Sequence, residues 1–188
     1  MQNIFIISGP AGSGKDVVIE HLEKRLPLER IITTTSRAPR PSEKEGVPYY
    51  FLSLEDFKKK IAGGEFLEYS VNENGGYYGV SQREFERVKQ GGKIALWRVD
   101  WKGVINIKKI YPTIPAIYIS APIAILEQRL RKRDQGRDER YFAERMEYTR
   151  EWLQHLDIYD YQVENKEGQL DETVAKVKAI IEEHLARA

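Results

Sequence analysis

Residues 3–8, NIFIIS, carry an apolar run that stops at a glycine-rich turn. A run apolar at successive positions is buried on both faces, which predicts a strand inside a parallel sheet. Val17, Val18, Ile19 and Leu22 then recur at helical spacing as far as Pro27. KIALWRVD (93–100) and PAIYIS (115–120) repeat the strand pattern, and each precedes a helical stretch, 102–110 and 122–133. A long charged helix is predicted over about 138–155 and a strand at DYQVEN. In the last helix Leu170, Val174, Val177, Ile181 and Leu185 draw one apolar stripe. Strands alternating with helices predict an α/β three-layer domain with a mainly parallel sheet.

The segment 33–80 breaks that rhythm. RIITTT and PYYFLS are strand-like pieces joined by the charged, proline-rich SRAPRPSEKEGVP. A helix follows at 54–62 with Ser53 as its N-cap. GEFLEYS (64–70) alternates like a short strand, and NENGGYYG (72–79) reads as a turn. Helix returns at about 81–90, capped by Ser81 and ended by Gly91-Gly92. Several short strands in place of one strand and one helix read as an insertion mounted on the core.

At 188 residues the chain is expected to form one domain with a sizeable core. Its 30 Lys and Arg against 29 Asp and Glu leave a net charge of +1, which gives no global case for nucleic acid or a membrane surface. With no cysteine there is no disulfide scaffold and no thiolate zinc site. NIFIIS is too short for a signal-peptide core, and no apolar run approaches the ~18–20 residues of a membrane span. The expectation is a cytoplasmic protein.

GPAGSGK, residues 9–15, supplies the chemistry. Its glycines let successive backbone N–H groups turn inward on phosphate oxygens, and the following helix adds its positive end. Gly9, Ala11, Gly12, Ser13, Gly14 and Lys15 are the candidate phosphate contacts, with Lys15 reaching the β- and γ-phosphates of a nucleotide. The pattern calls next for Ser or Thr on Mg²⁺, but the residue is Asp16. A carboxylate is a hard ligand, so Asp16 is read as an altered metal contact; first-turn Asp is also favourable as a helix cap alone. In TTTSRAPRPSEKEGVPYYF (33–51), Arg37 and Arg40 are able to fork onto a dianionic phosphate, with Tyr49 donating to the same group. Glu68, amid apolar neighbours, offers two acceptors to the adjacent N1–H and N2–H₂ donors of guanine; an exposed strand Glu is the plainer alternative. The arginine-rich span from Arg129 to Arg145 suits a lid, with Arg133 and Arg145 as the cations that close over developing charge. His21, His155 and His184 show no triad or ligand spacing.

Taken together these clusters resemble guanylate kinase over nearly the whole chain: SGPAGSGK (8–15), TTSRAPR (34–40), EGVPYYF (45–51), GEFLEY (64–69), GYYG (76–79), VDWKG (99–103), QRLRKR (128–133) and YDYQVEN (159–165). The resemblance implies a P-loop kinase fold that transfers the γ-phosphoryl of MgATP to GMP. It implies a core (1–32, 81–132 and 146–188), a GMP-binding subdomain (33–80) and a lid (133–145), working as a monomer or homodimer. By resemblance Arg37, Arg40, Tyr49 and Tyr78 hold the GMP phosphate. Thr33 and Glu68 read the guanine, with Asp100 nearby. Lys15, Arg37, Arg133 and Arg145 serve catalysis, and Asn165 lies near the adenine edge.

The chain departs from that pattern at Asp16, at Val80 (usually Ser or Thr, on the guanine), at Arg98 (usually acidic) and at Lys102 (usually Gln). GKD and YYGV are similar to ribose 1,5-bisphosphate phosphokinase, the first alternative. A non-catalytic guanylate-kinase-like interaction module is the second, although such modules usually show a damaged phosphate loop.

Overall fold

In the computed structural model of the chain, residues 3–40, 43–72 and 75–187 are described. The elements run β1 (Ile4–Ser8), α1 (Lys15–Glu23), β2 (Leu28–Ile31), β3 (Thr33–Thr35), β4 (Lys44–Glu45), β5 (Pro48–Phe51), α2 (Leu54–Ala62), β6 (Phe66–Val71) and β7 (Tyr77–Ser81). They continue α3 (Gln82–Gly91), β8 (Ile94–Arg98), α4 (Trp101–Ile110), β9 (Ala116–Ser120), α5 (Ile123–Arg133), α6 (Glu139–Leu153), β10 (Tyr161–Glu164) and α7 (Leu170–Ala186). The turn expected at 72–79 lies partly outside the described residues, at 73 and 74.

Five strands form one parallel sheet in the order β10-β9-β1-β8-β2. All five residues of β1 are buried, as the continuous apolar run requires. Strand alternation sends Phe5, Ile7, Leu96, Ile117 and Ile119 to one face, against Val18, Ile19 and Leu22 of α1 and Val174, Val177 and Ile181 of α7. Ile4, Ile6, Ala95, Trp97 and Tyr118 pack on the other face against Phe85 and Val88 of α3, Val104 and Ile107 of α4, and Trp152 of α6. The result is the three-layer α/β fold with a mainly parallel central sheet.

The segment 33–80 supplies the second sheet, ordered β4-β5-β3-β7-β6 and of mixed direction. Helix α2 covers it: Phe57 is fully buried and stacks on Phe66 at 4.2 Å. Ser53 caps α2 by accepting from the Asp56 N–H at 3.0 Å. The chain leaves the first sheet at Ile32, whose N–H donates to the Glu84 carboxylate at 2.7 Å, and returns at Ser81. Ser81 accepts from the Glu84 N–H at 3.1 Å, capping α3. Both crossings between the sheets are therefore tied to one residue at the start of α3.

Candidate active site

The cleft opens beyond the carboxyl ends of β1 and β8, where parallel sheets expose their loops. On one side runs the phosphate loop. Gly9 approaches the Ile119 backbone so closely that a Cβ would overlap its carbonyl oxygen. Gly14 holds φ +82 at the N-cap of α1, in the left-handed region, and offers no side-chain cap, so the first N–H groups of the helix have no intrahelical partner. The loop is braced from behind. Asn165 donates to the Ser13 carbonyl at 2.8 Å and accepts from Thr173, and Arg129 donates to the Gly12 carbonyl at 3.1 Å. Gly9, Ala11, Lys15 and Asp16 line the cleft; Gly12, Ser13, Gly14 and the buried Asn165 form the wall behind it.

Lys15 donates to the Pro10 carbonyl at 3.4 Å. Burial lowers its pKa to about 8; the Asp16 charge opposes that fall, while Arg98, Arg133 and Arg145 add to it. Burial works to raise the Asp16 pKa, but Lys15 and Arg98 outweigh it and hold the carboxyl at about 2. Asp16 is ion-paired: Arg98 Nη1 donates to its Oδ1 at 2.6 Å. Sheet register explains the meeting, because Arg98 lies beside Ile7, on the face that β8 turns toward α1.

Across the cleft the second sheet presents a cationic cluster and a buried acid. Glu43 receives both Arg37 nitrogens at 2.9 Å each. Tyr78 and Glu43 both favour the Arg37 charge, and the Arg37 guanidinium carbon lies 5.4 Å from the Tyr49 ring centre. Arg40 is exposed at the rim. Glu68 is 6% exposed. Burial and the Asp100 charge push its pKa up to about 8, against a hydrogen bond from the Val80 backbone N–H. Thr33 lines the same end of the cleft. Asp100 caps α4 through Oδ1, accepting from Gly103 at 2.8 Å, and takes the Tyr148 hydroxyl on Oδ2 at 2.9 Å. Arg133 and Arg145, from the end of α5 and from α6, complete the lining; Arg133 meanwhile forks onto Asp134.

The family model described as guanylate kinase matches residues 1–184. The chain belongs to the guanylate kinase family. Among the curated guanylate kinases, that of Idiomarina loihiensis is 38% identical over 167 residues, 87% of this chain and 79% of the relative. That of Carboxydothermus hydrogenoformans is 36% identical over 181 residues, 95% of this chain and 86% of the relative. The crystal structure of guanylate kinase from Anaplasma phagocytophilum superimposes with TM-score 0.77 at 24% identity, covering 97% of this chain and 86% of that one, and shows the shared fold.

In this guanylate kinase family chain, Ser70, Asn72, Val99, Tyr148, Thr149 and Trp152 also line the cleft and escaped the sequence reading. Period-two alternation contained the signal for two of them, since Glu68, Ser70 and Asn72 share one face of β6 and its continuation. Arg145, Tyr148, Thr149 and Trp152 follow helical spacing on α6. Val80 is fully buried among Phe85 and Trp97, and the Ser81 hydroxyl is engaged as a helix cap. His155 stacks on Trp101 at 4.0 Å and His184 meets Phe5 edge-on, both as packing groups.

Proposed function

We propose that this chain catalyses ATP + GMP → ADP + GDP. The supporting observation is one cleft holding a phosphate loop on one wall and, on the other, a buried carboxylate beside an Arg–Tyr cluster. The family membership points the same way, and neither alternative resemblance is favoured by it. Gly9, Ala11 and Lys15, on the loop set by Gly12, Ser13 and Gly14 and braced by Asn165, hold the ATP phosphates. Arg37, Arg40, Tyr49 and Tyr78 hold the GMP phosphate, and Glu68 and Thr33 read the base. Asp100 fixes Tyr148 and the start of α4 beneath them.

The acceptor oxygen of GMP is already anionic at neutral pH, so it needs no strong general base. Lys15, Arg37, Arg133 and Arg145 balance the charge of the γ-phosphoryl group as its bond to the ADP oxygen breaks and its bond to the GMP oxygen forms. Segment 33–80 closes on GMP and 133–145 on ATP, which excludes water as a competing acceptor. The residues present fit Mg²⁺: Asp16 puts a hard carboxylate on the cleft wall. Among the described residues no three acidic or imidazole groups converge, so phosphate and water oxygens would fill the rest of the metal's shell. When bound, Mg²⁺ neutralises the β- and γ-phosphate charge. Among the described residues no helix is long and apolar enough to cross a membrane, and we place the reaction in the cytoplasm.

The test is ADP release from MgATP by the purified chain, offered GMP, AMP, ribose 1,5-bisphosphate or water. Turnover stimulated by GMP alone is expected. Turnover with the sugar bisphosphate alone would replace this reading, and a chain inert with every acceptor would be a binding module.

A further inference from the structure

Arg98 stands between the two walls of the cleft. One nitrogen reaches back to the phosphate loop at Asp16 Oδ1, while its guanidinium carbon lies 4.8 Å from the centre of the Tyr49 ring. Arg37 approaches that same ring. Burial works against the Arg98 charge, but Tyr49, Asp16 and Tyr78 more than offset it, so the cation persists inside the cleft. A guanidinium is a rigid fork of five N–H donors. Among the described residues Asp16 is the hydrogen-bond partner of Arg98, and one nitrogen makes that bond. A guanidinium near the Tyr49 ring, with donors to spare, is suited to a planar or tetrahedral oxyanion in the space it shares with Arg37.

We propose that Arg98 is a third arginine on the acceptor phosphate, and that Asp16 is the positioning residue that holds it there. The carboxylate that replaces the expected loop hydroxyl thereby reaches the acceptor through Arg98. The proposal rests on the reading of the cleft as a GMP site.

The experiment titrates GMP and guanosine, which lacks the phosphate, into the purified full chain and three variants, without ATP. Arg98→Met is expected to weaken GMP about ten- to a hundredfold, the range of a charged hydrogen bond, and to leave guanosine within about twofold. Arg98→Lys keeps the charge but not the fork, so it is expected to recover part of the loss; it decides the matter if Arg98→Met does not fold. Asp16→Asn is expected to weaken GMP by a smaller factor and to add nothing in the Arg98→Met background. Equal GMP binding by the parent, Arg98→Met and Arg98→Lys would overturn the proposal. So would a parallel loss of GMP and guanosine, or full additivity of the Asp16 change. A parent chain that bound neither ligand would overturn the GMP reading first, and this inference with it.

Discussion

In the three central strands of the parallel sheet, β1, β8 and β9, nearly every residue is buried, and polar chemistry begins at their carboxyl ends. Ile4, Phe5, Ile6 and Ile7 of β1 are fully buried, and the next residues are Ser8 and the glycine turn. In the second sheet the strands themselves carry the polar groups. Thr33, Thr34 and Thr35 of β3 are all buried, and so is Glu68 of β6. The first wall of the cleft is thus written in backbone amides and helix ends, and the second in side chains converging from separate strands. A backbone wall depends on chain geometry more than on which side chain stands at each position. A side-chain wall depends on each group and on the apolar support beneath it.

The largest effect is expected where the backbone wall carries its one indispensable side chain. Lys15→Ala is expected to reduce turnover about 10²- to 10³-fold, the scale for losing one charge-stabilising donor, with GMP affinity nearly intact. A comparable loss of GMP affinity would mean the two walls are not separable. Phe57→Ala tests the support of the second wall. Removing a stacked, fully buried ring costs about 3–5 kcal/mol. That loss is expected to fall on the second sheet, raising the KM for GMP while the KM for ATP stays near that of the parent. Equal changes in both constants would show the sheets unfolding as one unit.

The smallest effect is one of pH. Burial and the Asp100 charge push the Glu68 carboxyl up to about 8. Only its ionised form accepts both guanine donors, so GMP affinity is expected to rise as pH climbs toward 8, by up to about tenfold per pH unit below that value. Stability runs the other way. Glu68 ionises near its ordinary value when unfolded but keeps its proton when folded, so its contribution declines between about 4.5 and 8. Asp16, held at about 2, has the opposite sign: its contribution is full above the ordinary carboxylate value and is lost as pH falls toward 2. GMP titrations and thermal unfolding from pH 6 to 9 check the Glu68 pair of slopes. In Glu68→Gln both are expected to flatten.

The sequence made the parallel sheet legible because its signals are local: an apolar run, a glycine turn, a stripe at helical spacing. The helices at α2 and α3 were equally plain from Ser53 and Ser81. What stayed hidden depends on register between distant segments. Asp16 and Arg98 each depart from the family pattern, yet nothing local says that they meet, since they stand 82 positions apart. Their contact follows from the alignment of Ile7 with Arg98 across two neighbouring strands. The burial of Val80 is hidden for the same reason: Trp97, which shares its apolar cluster, comes from β8, a distant strand.

The double tie at Glu84 has a further consequence. Ile32 and Ser81 both bond to that one residue, so the segment between them starts and finishes at nearly the same point. Such a segment is a cassette. It can be lengthened, shortened or exchanged for another acceptor-binding module without rerouting a single strand of the sheet below, provided the carboxylate at the join is kept.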